Sequence, residues 1–286
     1  MRLVTFENNG SRRLGVRKGD SVVDLSLSDP TLPGQMLEFL EAGESAMISA
    51  RTASQKGEHL IPLAKVKICA PIQNPQKVIC IGLNYADHAA ESGMPIPPEP
   101  VVFSKFASSI IGPGDTIVAP SVSNEVDYEV ELVVVIGKSG RHISEANALS
   151  HVAGYSVGHD VSARDYQLKK PAGQWMLGKT FDTFAPLGPE LVTSEDVSDP
   201  GNLWIRCTLN GVVVQNSSTS QLIFPIQKLI SYLSHVFTLS PGDLIFTGTP
   251  PGVGMGRKPQ VWLKDGDVVV CEVEGLGRLE NPVVSD

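Results

Sequence analysis

Apolar residues recur mostly at every second position, in short runs punctuated by glycine, proline and asparagine. That is the pattern of half-buried strands joined by tight turns. Segments 2–6 and 13–25 read this way, with turn residues at Asn8-Asn9-Gly10 and Gly19-Asp20. Further strands are predicted at 78–82, 101–103, 116–118, 128–136 and 153–159. A hairpin is predicted at 203–209 and 212–215, because Asn210-Gly211 between them suits a type I′ turn. The tail adds 243–247, 261–263, 268–273 and a last strand near Val283. Apolar spacing of three and four predicts helices at 36–40, 46–53, 84–92 and 225–236. Asn84 is the expected N-cap of the third, and Pro225 suits the first turn of the fourth.

So many strands and turns predict an α+β fold, a mixed β-roll or sandwich core with a few helices, and not a βαβ array. The texture changes near residue 70. A small N-terminal α+β domain over 1–70 and a larger domain over 71–286 are therefore expected in this chain of 286 residues.

Hydrophobic residues at 42% and charged residues at 19% are the values of a folded chain and exclude disorder. A net charge of −8 with no basic stripe excludes nucleic acid as a partner. Four scattered cysteines without a C-x-x-C pair point to buried free thiols in a reducing compartment. No apolar run approaches the roughly 18 residues of a membrane span, and Met1 to Glu7 reads as a strand rather than a signal peptide. A cytoplasmic location is expected. The Gly248-Thr249-Pro250-Pro251-Gly252-Val253-Gly254 stretch lacks the Lys-Ser/Thr of a P-loop.

Chemistry concentrates at Asp127-Tyr128-Glu129-Val130-Glu131, where acidic residues alternate with apolar ones and lead into a β-branched run. In a strand Asp127, Glu129 and Glu131 project to one face. Carboxylates lined up at the rim of a core repel one another, so the face looks into water or carries something positive. A further carboxylate, Asp160, falls where a strand ends in Gly158-His159-Asp160-Val161-Ser162-Ala163-Arg164-Asp165. Two carboxylates from one strand and a third from a neighbouring strand end would make a hard all-oxygen site suited to Mg²⁺, Mn²⁺ or Ca²⁺. Downstream, Arg164 and Gln167 share one face with Asp160 if a helix starts there. His88 and Glu91, three apart on the predicted 84–92 helix, lie within pairing distance.

Ile81-Gly82-Leu83-Asn84-Tyr85-Ala86-Asp87-His88, the 127–131 strand, His159 to Asp165, Gly178-Lys179-Thr180-Phe181-Asp182 and Thr247 to Gly254 occur in that order. Together they resemble the fumarylacetoacetate hydrolase family from about Lys77 to the C-terminus. The Pro171 to Lys179 insertion is similar to one branch of it that includes bacterial sugar diketo-acid hydrolases. The resemblance implies a mixed β-roll core, a homodimer and a divalent metal, usually Mg²⁺ or Mn²⁺, on Glu129, Glu131 and Asp160, with Asp127 outside the ligand set. It further implies His88 as a base oriented by Glu91, Lys179 as the balancing cation, and Tyr85, Arg164, Gln167 and Thr249 at the substrate. Lys105 and Trp175 have no assigned role.

The activity implied is metal-dependent hydrolysis of a C–C bond in a 2,4-diketo acid, of the acylpyruvate or diketo-deoxy sugar acid type, releasing pyruvate or a related 2-oxo acid. Oxaloacetate decarboxylation, isomerisation of an oxo-diacid and a ureidoglycolate lyase reaction are alternatives on the same site. A non-catalytic metal and acid-binding protein is disfavoured by His88, Glu91 and Lys179, which binding alone does not require.

Overall fold

A computed structural model describes all of residues 1–286. Ten strands form the spine of a large mixed sheet. From one edge its order is Leu60–Pro62, Ser21–Asp24, Ser11–Lys18, Arg2–Asn8 and Ala185–Thr193. It continues through Val152–His159, Val130–Ile136, Leu244–Phe246 and Val78–Gly82 to Val101–Lys105. Val130–Ile136 is central, antiparallel to both neighbours, with Val130 opposite His159 and Val133 opposite Phe246. A second, five-stranded sheet holds Trp204–Leu209, Val212–Ser218, Val268–Val273, Gly277–Ser285 and Ile117–Ala119.

The central strand has no solvent face, and the sequence shows why: beyond Val130 its apolar run is nearly continuous, as in a strand covered on both sides. Its even positions (Val130, Leu132, Val134, Ile136) enter the larger apolar cluster with Ile205, Cys207, Val269 and Val273 of the second sheet. Ile226, Leu229, Ile230 and Leu233 of the Ile226–Val236 helix close that layer, as their spacing predicts. Val133 and Val135, on the opposite face, pack with Leu244, Phe246, Leu3, Leu14 and Phe39. Residues up to 70 therefore share both the sheet and an apolar cluster with the rest of the chain, through Leu3 opposite Leu191. The boundary drawn at residue 70 is a change of texture and does not separate two cores.

The 203–215 hairpin forms as expected, with Asn210 and Gly211 both at positive φ, 52° and 79°. The third helix starts later than expected, at Ala86, and Asn84 is not its cap. Instead the Asn84 side chain donates to the carbonyls of Phe224 (3.2 Å) and Thr247 (2.8 Å) and accepts from Phe224 N–H (2.8 Å). It ties the helix entry to both the Thr247–Gly254 loop and the Ile226–Val236 helix. No helix starts at Asp160 either; Ser162–Ala163 pairs with Val126–Asp127, and a single π-helical turn follows at Asp165–Lys169.

Asn84→Leu leaves one buried N–H and two carbonyls without partners. It should destabilise the chain by about 2–4 kcal/mol in a denaturant titration. A loss under about 0.5 kcal/mol would mean that Asn84 is a surface cap after all.

Candidate metal centre

The central strand and its neighbour end at the same height, and this brings the acidic residues together. Glu129 sits in the break between Val126–Asp127 and Val130–Ile136, and Asp160 follows the last residue of Val152–His159. The Asp160 N–H donates to the Glu129 carbonyl at 2.9 Å, which locks the two backbones. Glu131, on the same face of the strand as Glu129, completes a cluster whose carboxylate oxygens lie within 4.8 Å of one another. All three residues are buried.

Buried carboxylates need partners. Lys179 Nζ donates to Glu129 Oε2 (2.7 Å) and Asp160 Oδ2 (2.8 Å). Arg164 forks between Asp127 Oδ2 (2.9 Å) and Glu129 Oε1, and donates to Gln167 Oε1 (2.9 Å). Burial pushes the Glu129 carboxyl up, but Arg164 and Lys179 together outweigh it and hold its pKa at about 2. Glu131 has no cation partner; its one polar contact is the Gly248 N–H at 2.8 Å. Burial, with Asp160 and Glu129 beside it, drives the Glu131 pKa well above the carboxylate range.

A third buried cation, Lys105, lies 2.6 Å from Asp160 Oδ1. Its N–H groups are aimed at the carbonyls of Val161, Lys179 and Phe184, so that carboxylate oxygen has charge beside it but no hydrogen bond. Two donor oxygens, on Glu131 and Asp160, thus converge without adequate protein donors. A hard dication is what such a pocket fits, and Glu129, Glu131 and Asp160 are the residues that would hold it.

Above the cluster is a cavity of about 140 Å³. Its polar wall is Glu129, Glu131, Arg164, Gln167, Lys179 and Thr249. Larger hollows elsewhere on the surface lack such a grouping, so this small one is where the chemistry lies. His88 reaches the cavity from the Ala86–Ser92 helix, with Nδ1 3.4 Å from Glu91 Oε2. Glu91 is itself held by the Gly252 N–H at 3.0 Å. The structure thus brings His88, Glu91, Lys179, Arg164, Gln167 and Thr249 together around the three carboxylates.

Tyr85 is the exception. Its ring is fully buried in the larger apolar cluster and is not among the residues that line the cavity, and its hydroxyl, near enough to Glu131 and Asp87 to feel their charge, has no partner. As the residue before the Ala86–Ser92 helix, Tyr85 contributes its ring to the core. Thr249 lines the cavity with its hydroxyl already committed, donating to the Val130 carbonyl (2.9 Å) and accepting from Gln215 Nε2 (2.9 Å). Gln215 also accepts from Val130 N–H (3.0 Å), so it clamps the carboxylate strand to the Thr249 loop. Lone and mid-strand, it gave no signal in the sequence. Asp127 accepts from Gly254 N–H (2.6 Å) and Met255 N–H (3.1 Å) as well as from Arg164, and so fixes the rim of the cavity. His159 is buried; desolvation and the nearby Lys105 and Lys179 hold its pKa down at about 3, so the ring is neutral.

A β-roll core carrying a buried oxygen-donor centre at the end of its central strand, with an imidazole facing it, defines a class of metal-binding enzymes. Comparison with known proteins gives the family: residues 77–284 match the fumarylacetoacetate (FAA) hydrolase C-terminal family, and the chain belongs to it. It is 54% identical over 288 residues to oxaloacetate tautomerase fahd2, mitochondrial, of Xenopus laevis, covering 99% of this chain and 90% of that one. Among solved structures it is similar to 5-carboxymethyl-2-hydroxymuconate delta-isomerase of Mycobacterium smegmatis, at 36% identity and a TM-score of 0.80 over all of both chains. It is also similar to maleylpyruvate hydrolase of Sphingobium sp. SYK-6, solved with manganese(II) and pyruvate. There the identity is 31% and the TM-score 0.84, over 100% of this chain and 99% of that one. No helix of the chain is long and apolar enough to cross a membrane.

The raised Glu131 pKa means that, without a cation, the folded chain keeps a proton that the unfolded chain releases. Stability of the metal-free chain should then fall as pH rises from the ordinary carboxylate range toward the folded pKa. Mn²⁺ competes with that proton, so its affinity, measured by calorimetry, should climb with pH. Glu131→Gln should weaken Mn²⁺ binding by about tenfold or more and flatten the pH slope. A pH-independent affinity in the wild type would contradict this.

Proposed function

We propose that the chain is a divalent-metal-dependent tautomerase that moves a proton between the keto and enol forms of a short 2-oxo dicarboxylic acid of the oxaloacetate type. The observation that carries this reading is that His88, paired with Glu91, lines a small cavity together with Glu129 and Glu131, which cluster with Asp160. Such an arrangement joins a proton carrier to a cation centre. The Xenopus laevis relative, named an oxaloacetate tautomerase, supports it.

The chain's own groups suit the reaction. Gln167 has its amide oxygen on Arg164, which leaves its NH₂ free for a substrate carboxylate or oxo oxygen. Thr249 has its hydroxyl tied to Val130, so its backbone N–H is the group left to donate to substrate. His88, with Nδ1 toward Glu91, has Nε2 left to take a proton from the carbon next to the 2-oxo group and return it to oxygen. Glu91 keeps the ring oriented. Lys179 and Arg164 keep Glu129 ionised. When bound at the three carboxylates, Mg²⁺ or Mn²⁺ would polarise the 2-oxo group and offset the charge that develops on it.

Tautomerisation is preferred to hydrolysis of a 2,4-diketo acid because it needs neither an attacking water nor room for a departing acyl group. The resemblance to maleylpyruvate hydrolase keeps hydrolysis as the second reading. The deciding experiment follows the decay of enol-oxaloacetate, in parallel with pyruvate release from acylpyruvates, with and without EDTA. Metal-restored tautomerisation that exceeds any pyruvate release is expected. His88→Asn should lower its rate by about 10²–10⁴-fold while Mn²⁺ affinity is retained. Faster cleavage of acylpyruvates than tautomerisation, or equal loss of rate and metal binding in His88→Asn, would overturn the proposal.

A further inference from the structure

The apolar side of the cavity contains a contact that neither the metal centre nor the proton carrier requires. Gly82 ends the strand Val78–Gly82 and faces the cavity. Its φ is outside the left-handed region, so the backbone does not require glycine there. What requires it is Trp175. A Cβ at residue 82 would come within 2.5 Å of Trp175 Cζ3 and 3.1 Å of Cη2. The indole also meets the Phe103 ring edge-to-face, centroids 5.7 Å apart at 69°. The indole is therefore seated against a strand end stripped of its side chain and the aromatic ring beside it.

Trp175 also opens the five-residue helix Trp175–Lys179, whose last residue is the cation on Glu129 and Asp160. Residues four apart share a helix face, so the indole and the ammonium border the same cavity. Gly178 lets this helix press against Gln167, where a Cβ would approach the Gln167 backbone N to 2.6 Å. The helix is thus fixed at both ends, by Gly82 and Phe103 against Trp175 and by the carboxylates against Lys179. An indole held this way is a rigid wall, unlike the thioether of Met94 or Met255 across the cavity.

We propose that Trp175, seated on Gly82, is the specificity-determining residue that limits this site to short 2-oxo acids by closing off the space a longer acyl tail would occupy. The inference rests on the reading that the cavity holds a 2-oxo acid. Trp175 acts on substrate size and not on proton transfer.

The test is calorimetric titration of the Mn²⁺-loaded wild type and Trp175→Ala with two probes that undergo no net conversion, oxalate and 2-oxooctanoate at its keto–enol equilibrium. Trp175→Ala should raise the affinity for 2-oxooctanoate relative to oxalate by about tenfold or more, with oxalate itself little changed. An unchanged ratio would overturn the proposal. A second measurement reads the contact itself. Gly82→Ala should lower Tm in the wild type but not in the Trp175→Ala background, and equal losses in both would also overturn it. Both readouts are independent of turnover. A chain that fails to tautomerise oxaloacetate but shows the shifted ratio would remove the functional reading and keep the wall. An active tautomerase without the shift would remove the wall alone.

Discussion

Everything in this structure defers to the burial of like charge at one end of the central strand. Asp127, Glu129, Glu131 and Asp160 are all withdrawn from water, and three cations, Lys105, Arg164 and Lys179, are withdrawn with them. Four carboxylates against three cations leave one negative charge if all are ionised. That excess falls at Glu131, the one member without a cation partner, and burial beside Asp160 and Glu129 pushes its pKa well above the ordinary carboxylate value. Burial of this kind stabilises a fold poorly and is often a net cost, so its presence points to function.

The fold supplies the means. Strand pairing sets Val130 opposite His159, so the residue before one strand and the residue after the other meet without any long loop. The Asn84 and Gln215 side chains then bind the surrounding loops to the ends of that sheet. Asp127, shut out of the ligand cluster, fixes Arg164 and the Gly254–Met255 turn by the same carboxylate. The reacting groups are therefore held by elements that are themselves buried. Only His88 and Glu91, the proposed proton carrier and the group that orients it, stand on a short and partly exposed helix.

Much of this was legible in the sequence because it is written in periodicity. The alternation 127–131 placed Glu129 and Glu131 on one face, Asn210-Gly211 fixed a hairpin, and the spacing of Ile226, Leu229, Ile230 and Leu233 marked a buried helix face. The motif order named the family. What escaped has no period. Asn84 looked like a helix cap because a short polar residue before a helix usually is one, yet its amide matches three backbone groups contributed from far along the chain. Tyr85 went into the core by a local turn of the chain that composition does not encode. Lys105 is a lone lysine at a strand end, and only the fold reveals that three carbonyls and Asp160 surround it. Gln215 and Trp175 owe their positions to the second sheet and to Gly82, respectively.

The most direct test of the account is an anomalous difference map from crystals of the chain grown with Mn²⁺. The account predicts one strong peak per chain, bonded to carboxylate oxygens of Glu129, Glu131 and Asp160, with Glu131 oriented toward the ion. Manganese bound elsewhere, or a Glu131 side chain that ignores the ion, would contradict it.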